Sequence, residues 1–138
     1  MTDPEGTRRG DGEGPPLSEG AGATEVYDLF RRGSALLASR DFAAATVPLE
    51  RARRLEPDKA SIREALGIAY FRLRRYEEAG REFRAVLELS PADDYAHYAL
   101  ARCLEKRGRA AEANGHYKLA SSLRPGTEQY DSRIRHLG

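Results

Sequence analysis

Along residues 24–138 the apolar positions recur at the spacing of helices buried on one side, with short polar breaks between them. Breaks near Arg40, Arg74 and Gly108 alternate with Pro57, Pro91 and Pro125, which predicts helices over 25–38, 42–55, 59–72, 76–89, 94–106 and 110–123. Thr24, Asp58 and Asp93 are the predicted N-caps, each placing a side-chain oxygen just ahead of a helical run. Pro48 falls inside the second run and predicts a kink or a weakened helix, because it lacks a donor and crowds the preceding turn. The closing stretch GTEQYDSRIRHLG puts Tyr130, Ile134 and Leu137 on one stripe, predicting a terminal helix over 128–137 that Thr127 can cap.

The same pattern returns every 34 residues. Pro57, Pro91 and Pro125 follow Leu55, Leu89 and Leu123 at this step, and five further series keep it: Gly33, Gly67 and Ala101; Leu36, Tyr70 and Leu104; Ala45, Ala79 and Ala113; Leu49, Phe83 and Tyr117; Ala52, Val86 and Ala120. Chance does not align six series. Glycine at position 67, in mid-helix, costs about 1 kcal/mol relative to alanine. The cost has a reason if two helices cross closely there, with Ala79 supplying a matching small surface. Tyr70, Phe83, Tyr117 and the alanines then read as core.

These residues resemble the tetratricopeptide repeat family, whose 34-residue unit carries small, aromatic and alanine positions in this order. The resemblance covers units 26–59, 60–93 and 94–127, followed by a capping helix at 128–137. It implies an all-α fold, a right-handed superhelical solenoid of helix-turn-helix repeats. Arg32, where later units have Leu66 and Leu100, suits an outermost repeat with less to bury. Arg135 continues the series of Gly33, Gly67 and Ala101, so no second helix is expected against it: the terminal helix is a half repeat covering the open end.

In such arrays the first helices of successive units line a concave groove that receives peptides or partner helices. The resemblance assigns its lining to Tyr27, Ser61 and Tyr95; Phe30, Glu64 and Tyr98; Ser34, Ile68 and Arg102; and Leu37, Phe71 and Glu105, edged by Arg72 and Lys106. Five of the eleven aromatics fall on this lining although the fold needs none there, which favours a binding surface over packing alone. One subset of the family grips a C-terminal carboxylate with a Lys and an Asn on the first inner helix, an Asn on the second and two basic residues on the third. Here those places hold Phe30 and Ser34, Ala65, and Tyr95 and Ala99, so the carboxylate clamp is absent.

Charge adds little. The net charge of the 138-residue chain is +1, which argues against a nucleic-acid partner. Arg40, Arg74, Arg75, Arg107 and Arg109 gather at the turns inside the units and could form a basic stripe, but helix ends favour cations and Asp41, Glu77, Glu78 and Glu112 lie close by. Residues 1–23 are rich in glycine and proline and are expected to form a disordered acidic tail ahead of a domain at 24–138. Lone Cys103, between Leu100 and Leu104, is expected to be a buried small hydrophobe. His97, His116 and His136 lie on three different predicted helices and form no metal motif, so no catalytic residue, metal or cofactor is expected. No apolar run approaches a membrane span, and the chain is expected to be cytoplasmic. The sequence reading is a non-enzymatic adaptor for a protein or peptide, with self-association into a homo-oligomer as the alternative.

Overall fold

The computed structural model describes residues 17–137, with side chains from 22 to 134. The described residues form seven helices: α1 (Leu17–Ala38), α2 (Phe42–Leu55), α3 (Ala60–Arg72), α4 (Tyr76–Leu89), α5 (Asp94–Lys106), α6 (Ala110–Leu123) and α7 (Glu128–Leu137). Each packs on its neighbours in sequence, so α1 with α2, α3 with α4 and α5 with α6 form three units, and α7 closes on α6. The fold is all-helical, packed in order as in tetratricopeptide solenoid domains.

The repeat positions form the core. Ala45, Ala79 and Ala113 are fully buried, as are Leu49, Phe83, Tyr117 and the series of Ala52, Val86 and Ala120. The crossing glycines meet a different partner from the one expected. A Cβ on Gly67 would lie 2.7 Å from Cε2 and Cζ of Phe83, and one on Gly33 would collide with Leu49. The large residue of the second helix, not Ala79, fills the space the missing side chain leaves. Arg32 is exposed where Leu66 and Leu100 are buried, in keeping with an outermost unit. Cys103 is buried, which pushes its thiol up to about 12.

Two of the three expected caps differ. Helix α1 starts at Leu17, directly after Pro15 and Pro16, so Thr24 lies inside it. Proline suits the start of a helix, and nothing stronger than glycine interrupts the chain between there and residue 24. The remainder of the expected tail, residues 1–16, lies outside the described residues, as do the side chains of Arg135, His136 and Leu137. At α3 the cap position falls on Lys59, one residue past Asp58, and makes no side-chain bond. Asp93 caps α5 as expected, accepting from the Ala96 amide at 3.0 Å. Pro48 does not interrupt α2, which runs from Phe42 to Leu55 with the proline buried. The hydroxyl of Thr127 donates to the Arg124 carbonyl at 2.9 Å, while its own carbonyl receives the first amides of α7.

The turns inside the units share one geometry. Asp41, Arg75 and Arg109 each donate an amide to the carbonyl five residues back, at Leu36, Tyr70 and Leu104, with the intervening residue left-handed. That residue is Arg40 (φ 64), Arg74 (φ 64) and Gly108 (φ 79). A non-glycine residue there carries a strain that glycine avoids. Arg74→Gly is expected to stabilise the fold by about 0.5–1 kcal/mol after the added freedom of the unfolded chain is counted. Its denaturation midpoint should rise accordingly; a fall would mean that the Arg74 side chain contributes more than its backbone costs.

Candidate functional site

The first helices of the three units present one connected face. Its residues follow a helical stride that leaves the core stripe of each helix behind: Phe30, Ser34 and Leu37 on α1, Glu64, Ile68 and Phe71 on α3, and Arg102 and Glu105 on α5 are half-buried, while Ser61 is exposed. Tyr27 is 58% exposed and Tyr95 37%. The Arg102 guanidinium from α5 lies 5.2 Å from the centre of the Phe71 ring on α3, joining two units across the face. Tyr95 meets Phe83 edge-on with centroids 6.3 Å apart, and Phe71 meets Tyr76 in the same manner at 5.2 Å. Burial raises the Glu64 carboxyl above its ordinary range, and the charge of Asp93 adds to this. Burial likewise raises the Tyr95 phenol, with Glu64 adding to it. The middle of the face is thus aromatic with one acid and one guanidinium.

Tyr98 departs from the expected lining. It is 5% exposed, with its ring 5.2 Å from Tyr130 of α7 and 5.9 Å from Tyr117 of α6, and its hydroxyl accepts from Gln129 Nε2 at 2.9 Å. The terminal helix covers it. Glu105 is drawn in the same way, accepting from the Tyr117 hydroxyl at 2.7 Å and from Arg133 Nη1 at 3.5 Å. Tyr130, itself buried, donates its hydroxyl to Asp94 at 2.6 Å, so α7 fastens to both helices of the third unit. Arg72 also turns away from the centre, its guanidinium 4.6 Å from the Phe42 ring. What remains open is Tyr27, Phe30, Ser34, Leu37, Glu64, Ile68, Phe71, Tyr95 and Arg102, with Lys106 exposed at the edge.

The basic turns are only partly free. Arg75 is paired with Glu78 at 2.5 Å and Arg109 with Glu112 at 3.8 Å, and the Arg40 guanidinium lies 5.6 Å from the Phe42 ring. Buried Glu82 and the pairing of His97 with His116 were not anticipated from the sequence. Glu82 of α4 is 4% exposed and accepts from Arg53 of α2 and from Arg63 of α3. His97 of α5 and His116 of α6 face each other with their Nδ1 atoms 3.1 Å apart. Among the described residues no group of three or more His, Cys, Asp or Glu is placed to hold a metal ion, and no helix is long and apolar enough to cross a membrane.

Two family profiles, both described as tetratricopeptide repeat, match residues 30–94 and 73–132. The chain belongs to the tetratricopeptide repeat family. Its tetratricopeptide fold is similar to that of a MamA point mutant, with a TM-score of 0.70 and 30% identity over 73% of this chain and 74% of that one. It is also similar to the first such domain of Spaghetti (RPAP3) bound to the HSP90 peptide SRMEEVD, with a TM-score of 0.79 and 16% identity over 83% and 90% of the chains. A third similar structure is the Yersinia enterocolitica type III secretion chaperone SycD in complex with a peptide of the translocator YopD. There the TM-score is 0.77, with 16% identity over 81% and 91% of the chains. No curated protein matches the sequence.

Proposed function

We propose that this tetratricopeptide domain is a non-enzymatic adaptor that takes an apolar or amphipathic segment of a partner protein on the face shared by α1, α3 and α5. The observation that carries the reading is the row of half-buried and exposed rings, Tyr27, Phe30, Phe71 and Tyr95, which keep part of their surface open on this face while Phe30 and Phe71 also rest on the core. Rings offer apolar contact area at low conformational cost, and such groups dominate the energetics of many interfaces. Arg102 supplies a polar handle beside them, its half-buried guanidinium lying over Phe71 with Nη1 turned to the Tyr98 hydroxyl.

Two of the similar structures contain bound peptides, which supports a groove reading in general. The chemistry of the occupant here differs from an acidic chain end. Ala65 and Ala99 are small and buried, and Phe30, Ser34 and Tyr95 complete a set without the basic and amide groups that would hold a terminal carboxylate.

The test is a capture experiment on the full chain against Phe30→Ala/Phe71→Ala, followed by titration of the recovered segment. Loss of two well-placed rings costs about 1.4–2.8 kcal/mol together at an interface, so the double variant should bind about 10- to 100-fold more weakly with its helicity intact. Equal capture by both proteins would refute the reading. Molecular size measured over a concentration series separates the adaptor from the self-associating alternative, in which size would grow with concentration and the same substitutions would stop it.

A further inference from the structure

One interior pair of positions changes character from unit to unit. At 34-residue steps, the first helix contributes Leu29, Arg63 and His97, and the second helix Pro48, Glu82 and His116. Leu29 and Pro48 are both buried and apolar. In the second unit, Arg63 Nη1 donates to Glu82 at 3.1 Å and Arg63 Nε donates to the Pro57 carbonyl at 2.9 Å. In the third, His97 Nε2 lies 2.9 Å from the Pro91 carbonyl and His97 Nδ1 lies 3.1 Å from His116 Nδ1. The histidine pair therefore stands where the second unit has an ion pair, tied to the same backbone position, but it lacks the carboxylate.

The proton inventory follows from these contacts. A carbonyl only accepts, so His97 Nε2 carries hydrogen, just as Arg63 Nε does at Pro57. His97 Nδ1 is then an acceptor, and His116 Nδ1 must donate to it. The ring centroids are 5.3 Å apart with planes 25° apart. That separation exceeds the nitrogen gap by 2.2 Å, the span of two centroid-to-nitrogen radii, so the rings meet end-on and a single hydrogen fits between them.

We propose that the His97–His116 pair is a one-proton latch on the third unit, holding α5 to α6 while it carries at most one added proton and opening when it must carry two. The first added proton goes to His116 Nε2 and leaves the inter-ring bond in place. The second can go only to His97 Nδ1, which sets two N–H groups against each other and adds a second positive charge where His97 is 8% exposed.

The surrounding charges do not relieve this. Arg84 of α4 opposes a cation at His116 and Glu112 of α6 favours one, but Glu112 is also held by Arg84 at 3.1 Å and by Arg109 at 3.8 Å. On α5, Asp93 is committed to the Ala96 amide and Asp94 to Arg124 and Tyr130. On α7, Asp131 is engaged with Ser121 and Arg133 with Glu105. Burial holds His116 below the ordinary imidazole range, and His97 and Arg84 push the same way. Each proton that the folded pair takes up less readily than the unfolded chain, the second one above all, gives stability that is full above the unfolded value, about 6.5, and is lost as the pH falls. Acid thus loosens the third unit, together with the cap that rests on it.

The experiment measures the folding equilibrium of the full chain by denaturant titration between pH 7.5 and 5.5, for the wild type, His116→Gln and His116→Glu. The wild-type constant should fall below about pH 6.5, approaching tenfold per pH unit for the one proton the folded state refuses. His116→Gln can donate to neutral His97 and turn its amide oxygen to charged His97, so it removes the clash of two N–H groups and should flatten the slope. His116→Glu restores the carboxylate of the second unit and should reverse it, because a carboxylate beside His97 favours its charged form. Ring-nitrogen chemical shifts of the wild type decide the matter even if a variant fails to fold. Hydrogen on Nε2 of His97 and Nδ1 of His116 at pH 7.5, with one ring alone becoming charged by pH 5.5, supports the latch. Opposite tautomers, both rings charging in the folded chain, or one common slope for all three proteins would overturn it.

Discussion

Gly67→Leu is expected to lower the stability of the domain by about 3 kcal/mol or more, although leucine is a far better helix former than glycine. The first carbon of the new side chain already falls 2.7 Å from two carbons of the Phe83 ring, inside any tolerable contact. Phe83 is 1% exposed, wedged between the helices of its unit and facing Tyr95 of the next, so the ring has nowhere to go unless the helices part. The remaining atoms of leucine widen that gap. Thermal unfolding followed by circular dichroism reads the effect, and Gly67→Ala combined with Phe83→Leu should recover much of what Gly67→Ala alone loses, since the two sites share one space. A Gly67→Leu protein as stable as wild type would mean that the helix crossing does not depend on a missing side chain.

The second large effect is expected at Glu82. Its buried carboxylate accepts from Arg53 and Arg63, and so ties α2, α3 and α4 together across the boundary of the first two units. Glu82→Leu strands two guanidinium groups that are 28% and 23% exposed, against 6% for the carboxylate side chain. Breaking a buried pair from one side costs about 3–5 kcal/mol; the partial exposure of both arginines places the expected loss at about 2–3 kcal/mol. Replacing Arg53 and Arg63 by methionine in the same protein should restore most of it, because an apolar cluster of similar volume no longer buries unpaired charge. The first unit already has an apolar solution at the corresponding positions, Leu29 and Pro48. Urea midpoints of the single and triple variants test this, and a triple variant weaker than Glu82→Leu would contradict it.

The architecture was legible because a repeat states each packing constraint three times. Leu49, Phe83 and Tyr117 each occupy the place opposite a small residue, so one coincidence becomes a rule, and α2, α4, α5, α6 and α7 fall on their expected ranges. The start of α1 was less legible because glycine-rich composition suggests a tail, while the prolines ahead of Leu17 mark where a helix can begin. The candidate face was half legible. The 34-residue step transfers a position from unit to unit, but not what lies beyond the last unit; Tyr98 shares a row with Phe30 and Glu64, yet it is buried because α7 rests on it alone. The histidine pair needed a register between helices, 19 residues apart, that no single-helix periodicity contains. A signal was present all the same: the same step carries the oppositely charged Arg63 and Glu82 onto His97 and His116.

On the proposed function the aromatic face, and not the basic edge, receives the partner. This is tested most directly by titrating the captured segment into three proteins: the wild type, Phe71→Ala/Tyr95→Ala, and a variant with Arg74, Arg75, Arg107 and Arg109 neutralised. Removing the rings should weaken binding about 10- to 100-fold at any salt concentration, whereas the arginine variant should lose a few-fold at most and only at low salt, as screened surface charges do. If the arginine variant loses binding while the aromatic variant retains it, the basic edge is the interface and the account of the aromatic face is wrong.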